Sequence, residues 1–156
     1  MVEEIISPHR RITLSKLGLF CAILASVLWG VEYALAERVY KDVSVYTVLF
    51  HSSILSLILM PVLAWNHIVS DTCKLLQFSN LTFWYSVIMI IGMLASIMIA
   101  KSIQLTNATA AGLIEISYPF FIILFSFLFF GKINLTKELF IGGVFIFTGI
   151  AVILSK

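Results

Sequence analysis

The chain has 156 residues, 61% of them hydrophobic and 12% charged, with a mean hydropathy of +1.09. Its charge content is about half of the ~25% usual in soluble domains, and a water-soluble fold of this size has too much surface to hide so much apolar area. The net charge of +2, with no Lys/Arg cluster beside stacking aromatics, argues against a nucleic-acid partner; the composition demands a lipid bilayer instead.

Residues 1–16 form a basic tail containing Arg10, Arg11 and Lys16. Five apolar runs follow at 17–39, 44–65, 81–101, 108–130 and 136–155, each near the ~20 residues a helix needs to cross the hydrocarbon core. The tail and the triplet Ala34-Leu35-Ala36 also fit a cleaved secretory leader. The first run continues past Trp29 and four more follow, so it is expected to stay as a span. With the N-terminus inside, the inner side carries Arg10, Arg11, Lys16, Lys74, Lys132 and Lys137. The outer side carries Arg38, Lys41, Lys101 and Lys156, a balance of six to four that favours N-inside only weakly.

The connection 66–80 holds His67, Asp71 and Cys73, whose spacing matches no usual ligand set, so solvated loop residues and no metal are expected. Cys21 lies in an apolar run and Cys73 in a polar one, and no disulfide is expected. Asn-x-Thr triplets at Asn80, Asn107 and Asn134 stand at span starts. They fit glycosylation acceptors, but capping of the first backbone N–H groups by Asn and Thr oxygens accounts for all three at once. Tyr46, Trp65, Trp84 and Tyr85 near span ends form an interfacial belt. No nucleophile elbow, phosphate-binding loop or zinc-protease motif is present, so neither enzymatic activity nor a cofactor is expected.

The informative residues are those a bilayer disfavours: Glu32 in the first span, His51 in the second and Glu115 in the fourth. Counted from span midpoints at ~1.5 Å per residue, the three lie ~5–6 Å toward the same side. A shared polar pocket follows from that common depth. Burial favours the neutral form of a carboxyl, which suits proton exchange. Glu115 shares a helical stripe with Ala108, Ala111, Gly112, Tyr118 and Pro119, and Glu32 with Gly18, Ala25, Trp29 and Ala36. Pro119 removes a backbone donor and predicts a kink just beyond Glu115. The plainer reading is that Glu115 bonds Tyr118, Glu32 pairs with Arg38 and His51 is an interhelical donor.

Several short patterns then stand in order: Trp29-Gly30, Ala110-Ala111-Gly112-Leu113-Ile114-Glu115 leading to Pro119, Leu128-Phe129-Phe130-Gly131, and Gly142 with Gly149. In these the chain resembles the EamA-type repeat of the drug/metabolite transporter superfamily over roughly 17–155. Lys132 stands where the family often has an acidic residue, and His51 where it often has an arginine. The resemblance implies an all-α integral membrane bundle of five transmembrane helices, one repeat of a ten-helix inverted-repeat transporter. It further implies a secondary active exporter or exchanger of small metabolites or amphipathic compounds in the cell membrane. The partner would be a second copy, antiparallel, or a related five-helix half. In that reading Glu32 and Glu115 bind the proton or cation, His51 is their partner, and Trp29 and Tyr118 are aromatic walls. Gly142 and Gly149 pack either against the second copy or within one chain. The alternative class is a non-transporting membrane subunit or anchor.

Overall fold

The structure is a computed structural model and describes residues 16–77, 79–131 and 136–155. Arg10, Arg11, Lys132, Asn134 and Lys156 lie outside the described residues. Among the described residues every regular element is a helix: α1 Lys16–Val39, α2 Val45–Leu63, α3 Ile68–Leu75, α4 Asn80–Leu105, α5 Ala108–Glu115, α6 Tyr118–Phe130 and α7 Lys137–Leu154. Among the described residues four stretches are long and apolar enough to cross a membrane: α1, α2, α4 and the interrupted Ala108–Phe130. The apolar helix Leu139–Ile153 is shorter. Nearly every large apolar side chain along these helices points outward, which only lipid tolerates at such density.

The helix ends have identifiable causes. After α1 the chain turns through Tyr40–Val43, and Ser44 caps α2 by accepting from the Tyr46 N–H at 3.3 Å. Three differences from the sequence expectation stand out. The connection 66–80 is not a plain loop: it contains α3, on which Lys74 pairs with Asp71 at 2.8 Å. The Lys74 hydrogen bond and charge hold the Asp71 carboxyl below its ordinary value. Next, α4 continues four residues past the expected end, so Lys101 lies inside the helix.

The third difference is in the caps. Asn80 is the first residue of α4, not its cap; Ser79 holds that position, and its N–H donates to Thr82 Oγ1 at 3.2 Å. The threonine of the third triplet, Thr136, does cap α7 by accepting from the Leu139 N–H at 3.3 Å. The α6 helix ends at Gly131, whose φ of 62° is left-handed and whose N–H closes on the Phe127 carbonyl at 2.8 Å. A side chain there would be strained, which explains glycine after the run of phenylalanines.

The described chain divides into two compact units, one holding the stretches up to Ala34 and from Thr109 on, the other Leu35–Ala108. In the second unit α2 and α3 pack against α4, and Tyr40, Val45, Ala100, Ile103 and Ala108 are buried. In the first, Phe120 of α6 meets Phe147 of α7 edge to face at 5.1 Å.

Thr82 both closes the start of α4 and ties it to α3, since its hydroxyl also donates to the Leu75 carbonyl at 2.6 Å. Thr82→Val keeps the shape and loses both bonds. It should cost about 1 kcal/mol, seen as a lower midpoint on thermal or SDS unfolding, whereas Thr82→Ser should unfold like the parent.

Candidate functional site

In the first unit the carboxylate of Glu115 is held by a residue that helical spacing did not single out. Tyr33 of α1 donates its hydroxyl to Glu115 Oε2 at 2.5 Å, across 82 positions of sequence. Gly112, one turn before Glu115, makes room for it: a Cβ added there would stand 3.5 Å from Tyr33 Cδ2, in ordinary contact. Ala111 beside it is buried. Small residues on this face of α5 thus let an aromatic ring approach close enough to reach the acid.

The backbone around Glu115 is irregular. The helical ladder loosens at Ile116 and Ser117, where Ser117 N–H bonds back only to Ile114 at 3.1 Å, and α6 begins at Tyr118. Pro119 sits in the first turn of α6 and has no N–H to return to the Glu115 carbonyl. Glu115 therefore combines a half-buried carboxylate with a backbone carbonyl that lacks its usual i+4 donor. Trp29 and Tyr118 belong to the same unit and are about half exposed, at 54% and 49%.

The remaining sequence candidates are placed differently. Tyr33, not Tyr118, takes the Glu115 carboxylate. Glu32 is exposed on α1 and does not pair with Arg38: among the described residues the one ion pair is Asp71–Lys74. His51 belongs to the second unit, exposed on α2, with its ring tilted 52° against Phe50 at 5.8 Å. Among the described residues nothing stands within 4 Å of a Cβ added at Gly142 or Gly149, beyond the backbone of their own helix.

A second carboxylate escaped the sequence reading. Glu37, half-buried, accepts from the Ala108 N–H at 2.8 Å, the first backbone donor of α5. A negative charge there offsets the partial positive charge of a helix start. Glu37 so performs part of the capping expected from the Asn107 triplet. The available signal was the spacing Tyr33-x-x-x-Glu37, which puts two polar side chains on one face of α1.

The Tyr33–Glu115 bond has a measurable strength. Tyr33→Phe and Glu115→Gln, singly and together, should show a coupling of about 1 kcal/mol in a double-mutant unfolding cycle. Gly112→Ala should be tolerated, and Gly112→Leu should reproduce the loss of Tyr33→Phe by displacing the ring.

Comparison with known proteins adds one positive result. No curated protein and no solved structure matches the chain. The sequence model of the EamA-like transporter family matches residues 16–155, nearly the whole chain and every helix above. With its apolar all-helical architecture and its carboxylate at a helix break, the chain belongs to the EamA-like transporter family and is a multi-pass membrane protein.

Proposed function

We propose that the protein is a secondary active transporter of the cell membrane, an exporter or exchanger of small metabolites or amphipathic compounds. The observation that carries this reading is the Tyr33–Glu115 pair at the α5–α6 interruption. An intramembrane acid is expensive and is normally retained for a pathway or a relay. An acid beside broken helix backbone is the arrangement in which transporters bind ions and substrates near the midplane. Glu115 is the proton or cation ligand, and Trp29 and Tyr118 supply aromatic surface to an amphipathic substrate. Glu32 serves beside it, and His51 joins the reading by its sequence-derived depth alone.

In this proposal the working unit is two five-helix halves in opposite orientations, with α7 as the fifth span. An odd number of spans puts the termini on opposite sides, so a half must insert both ways or find an inverted partner. The six-to-four basic balance permits the first route. The open faces at Gly142 and Gly149, together with the exposed carboxylate of Glu32, support a partner covering these surfaces.

Proteoliposome uptake measured across pH tests the site. Glu115→Gln and Glu32→Gln keep shape and hydrogen-bonding capacity, and should abolish pH-dependent transport while the protein stays folded and inserted. Unchanged pH dependence in both single variants and the double variant rules the site out. The assembly has its own test: cysteines at position 142 or 149 should crosslink between chains, and Gly142→Leu should weaken the dimer. A monomer in native mass spectrometry with full transport rules out the paired arrangement.

A further inference from the structure

The second unit contains a cation with no acid beside it among the described residues. Lys101, half-buried in α4, donates from Nζ to Gln104 Oε1 at 3.1 Å and lies 5.1 Å from the centre of the Tyr46 ring. Gln104 is itself anchored, since its Nε2 donates to the Tyr40 carbonyl at 3.2 Å. The surrounding Tyr40, Val45, Ala100 and Ile103 are the best-buried residues of the unit, so this brace stands on its firmest part. Among the described residues no carboxylate lies within 4.0 Å of Nζ. Glu37, in the same unit, is engaged by the Ala108 N–H.

Depth decides what such a cation meets. From Asn80 to Lys101 α4 rises about 32 Å, close to the ~30 Å of the hydrocarbon core, which puts the ammonium at headgroup level. An ammonium has three donors, of which Gln104 takes one. An ordinary lysine near a span end reaches for water on a free stem. This one is held by an amide and an aromatic face, pre-positioned with donors to give. Arg38 at the end of α1 and Lys41 in the following turn flank Tyr40 in the sequence, as does Asp42.

We propose that Lys101, braced by Tyr46 and Gln104, is a phosphate-binding site at the membrane surface, and that its occupant is the headgroup of an anionic phospholipid. The attraction is that of a compact ammonium for phosphate oxygens in a region of reduced dielectric. The site is separate from Glu115 and does not depend on the transport reading.

Native mass spectrometry of the whole chain, released from phosphatidylcholine vesicles with and without phosphatidylglycerol, tests it. The parent should retain phosphatidylglycerol in preference to phosphatidylcholine. Lys101→Gln should lower that retention about five-fold, the contribution of one surface cation. Lys101→Arg, which keeps the charge, should restore it. Tyr46→Leu leaves the charge in place and should give a smaller loss, and it serves as the second variant if Lys101→Gln does not fold. Unchanged retention in Lys101→Gln, or equal loss in Lys101→Gln and Lys101→Arg, overturns the proposal, as does unchanged retention in Tyr46→Leu. Inorganic phosphate is the other arm. If it binds the parent but not Lys101→Gln while phosphatidylglycerol retention is the same in both, the site takes free phosphate and the proposed lipid occupant is overturned; if it competes with phosphatidylglycerol on the parent, the lipid is confirmed on the same site.

Discussion

Hydrocarbon offers a polypeptide no hydrogen bonds, and the rest of this structure follows from that. Each backbone N–H and C=O at membrane depth must find its partner within the chain, so the long apolar runs become helices. The cost then concentrates where helices start, stop or break. Those are the places with identifiable polar chemistry here: the Thr82 and Thr136 caps, the left-handed Gly131, and Glu37 on the first donor of α5. Elsewhere, apart from a few side-chain bonds such as Tyr33–Glu115 and Gln104–Tyr40, the described residues meet through apolar and small side chains.

The same constraint explains why Glu115 is worth attention. Two separate expenses coincide within five residues, an ionisable side chain and a proline that removes a helical hydrogen bond. Tyr33 offsets the first with a hydroxyl, and Gly112 puts no bulky side chain in the way of its ring. A structural helix would gain from replacing all four residues with leucine and alanine. Their joint presence matches the family's membership in transporters, where a polar group must be available to something that comes and goes.

The sequence made the helices legible and their pairings much less so. Apolar runs report the lipid's demand locally, and α1, α2 and α4 begin and end within a few residues of the expected limits. Misplaced boundaries came from short-range competition: Ser79 rather than Asn80 takes the cap, and the charged spacing Asp71-x-x-Lys74 makes a helix of an apparent loop. Glu115 was visible because a carboxylate is conspicuous in an apolar run. Tyr33 was not, because a tyrosine in a span is unremarkable until its partner 82 residues away is known. The glycines of α7 show the converse, since their spacing was obvious while only the structure tells that, among the described residues, no side chain fills the space beside them.

The length of these pairings has a consequence for biosynthesis. Glu37 waits for Ala108, 71 residues later, and Tyr33 for Glu115, 82 residues later. At ~5–20 residues per second a ribosome needs roughly 4–16 s to make up that distance. Through that interval α1 must sit in the bilayer with its polar face unmatched, because α5 does not yet exist. The insertion machinery, rather than the finished fold, has to shelter Glu37 in the meantime. Whatever slows translation between the second and fourth spans therefore lengthens the time during which a half-made chain is most exposed to quality control.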